Sequence, residues 1–337
     1  MQRTTLFKAG LVLVITAGLV LAWGATPLAA EESLQDSRVA DAVDDRLMGD
    51  PAVPGDFIDV AATRGIVTLT GEVDNLCAKK RAARLAGTVK GVRGVVNRVE
   101  VEPAFRSDTL IEEDVEQALL TDAVTESWEI EPAVEDSVVT LTGTVESWQE
   151  KQLAAKVAAG VKGVKGIRNE ITVDYETDRA DAEIQEEIDR ALRWDAYVDD
   201  SLIEVSVEDG KVILDGVVGS LAEKQRAYDK AWVAGVTGVD RSGLEIRWWA
   251  RNEKLRKEKY VSRTDQEIRK AVQDAFLYDP RVLSFEIEVQ PDDGLVTLRG
   301  TVDNLKARRA AAQDARSVVG VWKVNNQIKV RPNTPSD

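Results

Sequence analysis

A short stretch of alternating apolar and polar residues occurs four times in this chain and organises the rest of it. The four copies are Val67–Val73, Val139–Val145, Val212–Val218 and Val296–Val302. Alternation with a period of two residues predicts a β-strand with one buried face. Each copy holds a glycine at the same position, namely Gly71, Gly143, Gly216 and Gly300. We predict that these glycines are structural, because a side chain there would meet a kinked or closely approaching backbone.

A helical pattern precedes each strand. Apolar residues recur at every fourth position, which predicts one buried face of a short amphipathic helix. These residues are Val39, Val43 and Leu47; Ile111, Val115 and Leu119; Ile184, Ile188 and Leu192; and Ile268, Val272 and Phe276. An aspartate stands before each face and is suited to cap the helix by accepting a backbone N–H bond. These aspartates are Asp36, Asp108, Asp181 and Asp265.

The residues between helix and strand predict a turn and a hairpin. A second set of aspartates, Asp50, Asp122, Asp195 and Asp279, follows the helices where a turn must form. A first strand then begins at Ile58, Ile130, Ile203 and Ile287. Pairs such as Arg64-Gly65 and Asp209-Gly210 have the chemistry of a tight hairpin turn. Pro132 lies in the first strand of the second copy, which predicts a sheet edge, because proline cannot donate to a central ladder.

A second helix and a last strand complete each copy. Asn75, Ser147, Ser220 and Asn304 are suitable N-caps, and pairs of alanines four residues apart follow them. Gly91, Gly163, Gly235 and Gly320 are predicted to end these helices. The repeated basic residues Lys79, Lys151, Lys224 and Arg308 are expected on a solvated helix face. Each copy therefore predicts the order helix, hairpin, helix, strand, with a right-handed crossover.

The pattern around Val139–Val145, Lys151, Ala154, Gly163 and Asn169 resembles the BON domain (bacterial OsmY and nodulation), an αββαβ module. The third copy departs from it at Asp240–Gly243. We expect an α+β chain of four tandem modules, each a three-stranded mixed sheet packed on two helices. The expected division is a signal peptide at 1–30, modules at 34–104, 106–177, 179–249 and 263–332, and a basic linker at 250–262. Short connections predict that neighbouring modules pack together, and the linker separates a block of three from the fourth.

The first thirty residues have the features of a secretory signal. Arg3 and Lys8 precede an apolar run, and small residues with Leu28 among them end it. We expect export to a bacterial periplasm, with a retained anchor in the inner membrane as the alternative. Cys77 is the only cysteine, so it is either an incidental thiol or the site of an intermolecular disulfide.

The composition limits the catalytic and metal-binding chemistry that this chain can perform. The chain has no histidine, which removes the commonest general base and metal ligand. The aspartates that occur in all four copies are better explained as turn formers than as catalytic acids. We therefore expect no enzyme activity, no metal and no cofactor. The formal net charge of −15 argues against nucleic acid as a partner.

Aromatic and basic residues that differ between the copies are the candidates for function. The resemblance implies an envelope-maintenance or osmotic-stress protein that binds anionic phospholipid at a membrane surface. The lipid-binding candidates are a wedge of Trp194 and Tyr197, and a surface strip of Arg247, Trp248, Trp249, Arg251, Lys254, Arg256 and Lys257. Packing between modules is the other explanation of Trp194, Tyr278 and Trp232, and we favour it. Trp148 is expected in a core. The alternative function is an elongated scaffold or chaperone-like protein that binds other envelope proteins.

Overall fold

The computed structural model describes residues 27–122, 129–175, 179–251, 262–277, 279, 281–282, 287–302 and 304–331. The side chains of residues 27–34, Trp248 and Arg251 are not part of this description. The predicted signal peptide therefore lies outside the described residues up to position 26. Its last four residues, 27–30, lie in the backbone of the first helix.

In these ranges the chain forms eight α-helices and sixteen β-strands. The helices are α1 Pro27–Met48, α2 Leu76–Ala86, α3 Asp108–Thr121, α4 Trp148–Ala158, α5 Asp181–Trp194, α6 Leu221–Lys230, α7 Asp265–Leu277 and α8 Leu305–Arg316. The strands of the first two modules are β1 Ile58–Thr63, β2 Ile66–Val73, β3 Gly94–Asn97, β4 Glu100–Val101, β5 Ile130–Glu135, β6 Val138–Val145, β7 Gly166–Asn169 and β8 Thr172–Val173. Those of the third and fourth are β9 Ile203–Glu208, β10 Lys211–Val218, β11 Gly238–Asp240, β12 Leu244–Ile246, β13 Ile287–Asp292, β14 Leu295–Val302, β15 Lys323–Asn326 and β16 Lys329–Val330.

Each module is a mixed sheet covered by two helices, which confirms the predicted α+β class. In the first module β1 pairs antiparallel with β2, and β3 and β4 pair parallel with β2. The same order holds in the other three modules. Pro132 lies in β5, which pairs only with β6 at the sheet edge, as predicted.

The last strand of each module differs from the prediction because it is split in two. Asn97 ends β3, and its side-chain amide donates to the carbonyl of Lys79 at 2.8 Å. Its side-chain oxygen accepts from Val99 N at 3.2 Å, so the chain kinks before β4. In the third module Arg241 stands at this position, and Asp240, one residue earlier, accepts from Ser242 N at 2.8 Å. The departure at Asp240–Gly243 changes the lengths of the two short strands but keeps their pairing, because β11 and β12 both pair with β10.

The repeated glycine of the central strand is required by a close backbone approach, as predicted. Gly143 has a φ of 123°, a conformation that side chains with a Cβ rarely adopt. A Cβ placed on it would lie 1.8 Å from the carbonyl oxygen of Glu129. The other three central-strand glycines have φ between 117° and 134°, and a Cβ on Gly71 or Gly216 would meet a backbone carbonyl in the same way.

The aspartates expected to cap the first helices have a different role. Asp108 and Asp181 are the first residues of α3 and α5, so they lie inside the helix. The carboxylate of Asp181 accepts from the backbone N–H groups of Asp209 and Gly210, both at 2.9 Å. Asp36 and Asp108 accept from both turn N–H groups in the same way, and Asp265 accepts from Asp293 N. The N-cap prediction was wrong, because a carboxylate here satisfies the exposed N–H groups of the hairpin turn.

The second helices begin as predicted but end earlier. Asn75, Ser147, Ser220 and Asn304 each accept a backbone N–H of the first turn. Ala82, Ala154, Ala227 and Ala311 are fully buried, so each helix lies close to its sheet. The helix of the first module ends at Ala86, five residues before Gly91. Gly91 has a φ of 97° in the loop that follows, so it is a turn residue and not the end of the helix.

The first three modules form a ring in which each second helix contacts the next module. The Cys77 thiol of the first module donates to the carbonyl of Ala159 in the second at 3.2 Å. Gln149, at the position equivalent to Cys77, donates to the carbonyl of Trp232 in the third at 2.7 Å. Leu221 of the third module packs on the core of the first two and lies against Gly87. Ala159, Trp232 and Gly87 are equivalent positions, so the start of each second helix meets the same site on the next module and the ring closes.

The fourth module is attached to this ring by separate contacts. Its backbone pairs with the end of α5, where Val319 N donates to Trp194 O at 3.0 Å and Ala196 N donates to Ser317 O at 2.8 Å. Lys306 of α8 forms a salt bridge with Asp122 of the second module. The expectation that neighbours pack together is confirmed. The expected elongated arrangement was wrong, because the repeated contact turns the chain back on itself.

Candidate functional site

The second helices of the ring and the adjoining part of the fourth module line one large cleft with a volume of about 2790 Å³. We call it the central cleft. These second helices are held on their sheets by the buried alanines described above, and each begins directly after its N-cap residue. Basic residues outnumber acidic ones along its wall. The chain as a whole has the opposite balance, with 59 Asp and Glu against 44 Lys and Arg.

An aromatic group joins the second and third modules beside the cleft. The indole rings of Trp148 and Trp232 stack with centroids 5.2 Å apart and planes 4° from parallel. Tyr228 meets both edge-on, at 6.0 Å and 5.9 Å. The Arg241 guanidinium lies 4.2 Å from the centroid of Tyr228. Stacked and edge-to-face rings, and a cation over a ring face, are favourable contacts.

Three of the aspartates that follow the first helices form turns, as predicted, and also hold basic residues of the cleft, namely Asp50, Asp195 and Asp279. Asp50 accepts from Ala52 N at 3.0 Å, and Arg81 of α2 donates to it at 2.7 Å. The hydrogen bonds from Arg81 hold the pKa of Asp50 below its ordinary value. Asp195 and Arg226 form the same pair in the third module, at 2.7 Å.

The second and fourth modules cannot make this pair, because Leu153 and Ala310 stand where the others have arginine. Asp122 of the second module is instead paired with Lys306 of the fourth. Asp279 of the fourth module is paired with Arg281, two residues along the chain. Burial alone would raise the pKa of Asp279, but the hydrogen bonds and charge of Arg281 outweigh it and lower the pKa.

Positive charges from three modules meet in one part of the cleft. Lys156 of α4 is placed near Arg84 of α2 and near Arg281 and Lys306 of the fourth module. The protein around the ammonium group excludes part of its water, which lowers the pKa of Lys156. Repulsion from the three other cations lowers the pKa further, and Asp279 offsets part of this effect.

A carboxyl group of α8 lies beside this cluster. Asp314 is close enough to Asp279, the partner of Arg281, for the two carboxyl groups to interact. Burial and the negative charge of Asp279 raise the pKa of Asp314 well above its ordinary value.

The structure separates the lipid-binding candidates. Trp194 lies at the junction of the third and fourth modules, where it packs on the core of the fourth and Arg263 lies 5.3 Å from its centroid. This position agrees with the explanation that Trp194 packs between modules. Tyr197 is 56% exposed and borders the central cleft.

The surface strip is described only at its start. Arg247 is exposed and donates to Glu245 at 2.7 Å, and Trp249 is 43% exposed. Trp248 and Arg251 lie in a short 3-10 turn, and their side chains are outside the described part. Tyr278, Lys254, Arg256 and Lys257 also lie outside the described residues.

Two other interpretations of single residues were wrong. Trp148 lies between two modules and not within one core, because its ring faces Trp232. Lys151 and Lys224 were expected on a solvated face. Each instead donates to a carbonyl at the last strand of its own module, at 2.6 Å.

The cleft cations Arg84 and Lys156 were missed in the sequence analysis. Their shared position on equivalent helices was the available signal. That signal becomes informative only when the ring brings the two helices to the same cleft.

Two further properties concern the described ranges only. No three Cys, Asp or Glu side chains there converge in a way that could hold a metal ion. None of the helices there combines the length and apolar character that crossing a bilayer requires.

Comparison with known protein families matches the BON domain at residues 35–103, 107–175, 180–247 and 264–332. The chain is also 28% identical over 145 residues to the Osmotically-inducible protein Y of Escherichia coli (strain K12), covering 41% of this chain and 72% of that protein. Two solved structures of CdsD, a structural protein of the type III secretion system of Chlamydia trachomatis, overlap with 14% and 12% identity. These matches cover 63% and 61% of this chain and 91% and 96% of the CdsD chains. The TM-scores are 0.18 and 0.17, too low to support a conclusion about the fold.

Proposed function

Because the chain belongs to the BON domain family, we propose that it is a non-catalytic protein of the bacterial cell envelope that acts in osmotic stress and binds anionic phospholipid. The observation that carries the proposal is the similarity to the Osmotically-inducible protein Y across a stretch of two-module length. The features of a secretory signal in the first thirty residues support export to the periplasm. The proposed partner is an anionic membrane surface.

The described start of the surface strip supports the lipid contact. Trp249 and Arg247 are exposed near each other at the end of the third module. Tryptophan favours the headgroup region because it has an apolar body and a polar tip. Each cation near an anionic surface adds about 1 kcal/mol. A local basic strip is needed, because the negative charge of the whole chain opposes binding to such a surface.

Liposome sedimentation of the full chain without residues 1–30 tests this proposal. We expect binding to phosphatidylglycerol vesicles, no binding to phosphatidylcholine vesicles, and weaker binding as salt increases. Deletion of 247–260, or the double change Arg247→Gln with Trp249→Ala, should abolish it. The matched control is Arg299→Gln with Trp322→Ala, which removes one exposed arginine and one exposed tryptophan from the fourth module. Equal binding to both vesicle types would refute the proposal.

The central cleft favours a second candidate, a scaffold that binds other envelope proteins. Aromatic and charged side chains of the ring and of the fourth module line it, so one partner can contact several modules at once. Affinity capture of envelope proteins on the purified chain after delipidation tests this role. Retention of defined partners would support it, and loss of every partner on delipidation would exclude it.

A further inference from the structure

Two of the basic residues that line the central cleft, Arg84 and Lys156, lie near one another and form no salt bridge within the described part of the chain. Arg84 and Lys156 occupy equivalent positions on α2 and α4, thirteen residues after Gly71 and Gly143. Both side chains are exposed and line the cleft. Three carboxylates of the neighbourhood are paired with other cations, namely Asp50, Asp122 and Asp279. The donors of Arg84 and Lys156 are therefore available to a ligand.

The fourth module strengthens the positive field at this point. Arg281 and Lys306 lie close enough to Lys156 to repel its ammonium group. Each of them already forms a salt bridge, Arg281 with Asp279 and Lys306 with Asp122. Repulsion between these four cations disfavours the folded state. They stay close to one another because they belong to separate elements that packing holds in place. An anion bound between Arg84 and Lys156 would reduce the repulsion.

The side chains define the kind of anion. A guanidinium presents a planar fork that matches two oxygens of a phosphate, and an ammonium supplies a compact point charge. We propose that Arg84 and Lys156 form an anion site in the central cleft that takes a phosphate group with two negative charges, as in inorganic phosphate or a phosphomonoester. Arg281 and Lys306 contribute through their electric field and need not contact the anion. The site needs the first, second and fourth modules in place and is separate from the surface strip.

Thermal unfolding of the full chain without residues 1–30 tests the site, with phosphate compared against chloride at equal ionic strength. We expect phosphate to raise the Tm of the wild type in a saturable way. Lys156→Gln and Arg84→Gln should each weaken the apparent phosphate affinity by about tenfold, the loss of one charge-assisted contact. The matched control Lys270→Gln removes an exposed lysine on α7 that does not line the cleft, and it should leave the response unchanged.

A second readout keeps the test valid if a variant alters folding. Without phosphate, Lys156→Gln should have a higher Tm than the wild type, because it removes a repelled cation. A higher Tm together with a weakened phosphate response is the signature of the site. An equal response to chloride, or a full response in Lys156→Gln, would overturn the proposal.

Two further ligands identify the source of the phosphate group. Glycerol 3-phosphate tests a soluble phosphomonoester, and phosphatidic acid vesicles test a lipid headgroup. Binding of either that depends on Lys156 supports the site and assigns its source. If neither binds and inorganic phosphate still acts through Lys156, the site takes the free ion. Deletion of 247–260 should leave the phosphate response intact, so failure of the surface strip and failure of the cleft site can be told apart.

Discussion

The central-strand glycine of the second module provides a sharp test of the fold. In Gly143→Ala the new Cβ would lie 1.8 Å from the carbonyl oxygen of Glu129, and the backbone has a φ of 123°. A residue with a Cβ held in such a conformation costs about 1 to 3 kcal/mol. Relieving the overlap requires a backbone shift, which costs about 1 to 3 kcal/mol more. We therefore expect a loss of about 2 to 6 kcal/mol, a large part of the roughly 5 to 15 kcal/mol that stabilises a typical domain.

Gly166→Ala in the same module is the matched control. A Cβ there would meet the methyl groups of Val138 at 3.6 Å, which is ordinary contact. The same chemical change should therefore cost little, and it should gain about 0.5 to 1 kcal/mol from the lower flexibility of alanine in a strand.

Native-state hydrogen exchange is the suitable assay, because a chain of four modules need not unfold in one step. The first and second modules share one hydrophobic core, whereas the fourth has its own. Gly143→Ala should therefore lower protection in β6 and in β2, and it should leave β14 unchanged. If Gly143→Ala and Gly166→Ala differ by less than about 0.5 kcal/mol, the close-approach argument is wrong.

The remaining predictions concern the cleft. Trp232→Ala and Trp148→Leu, combined in a double-mutant cycle of urea unfolding, should show a coupling of about 0.5 to 1.5 kcal/mol, because the stacked rings join two modules; additive effects would contradict this. Asp314→Asn should raise stability at pH 7, because the folded chain raises the pKa of this carboxyl and ionisation therefore favours the unfolded state. The gain should shrink as the pH falls towards the ordinary pKa of 3.8, where both states bind the proton, and a gain that is constant from about pH 7 to about pH 4 would exclude the explanation.

Much of the module could be read from the sequence. The alternation of Val139–Val145, the apolar stripe of Ile111, Val115 and Leu119, and the cap at Ser147 are local signals, and each predicted its element. They succeed because the period of side chains along a helix or strand depends on backbone geometry alone. Repetition made the signal stronger, since the same residue types recur at the positions that the fold requires.

The role of the first aspartate shows where local signals fail. Asp181 precedes an apolar helical face, which is the usual context of an N-cap. Its actual partners, Asp209 N and Gly210 N, are 28 and 29 residues away. Nothing in the helical pattern indicates that the hairpin turn comes back to the start of the helix. The same limitation applies to Trp148, whose partner Trp232 belongs to another module.

The sequence by itself determined the repeat, the elements and buried faces of each module, and the positions where only glycine fits. Only the tertiary structure decided that three modules close into a ring, that the fourth module supplies Lys306 to Asp122, and that Arg84 and Lys156 line one cleft. The physical reason is the range of the interactions. Helix and strand periodicity reflects interactions between residues that are close in sequence. The contacts between modules join residues that are far apart in sequence, and no repeating pattern in the sequence indicates them.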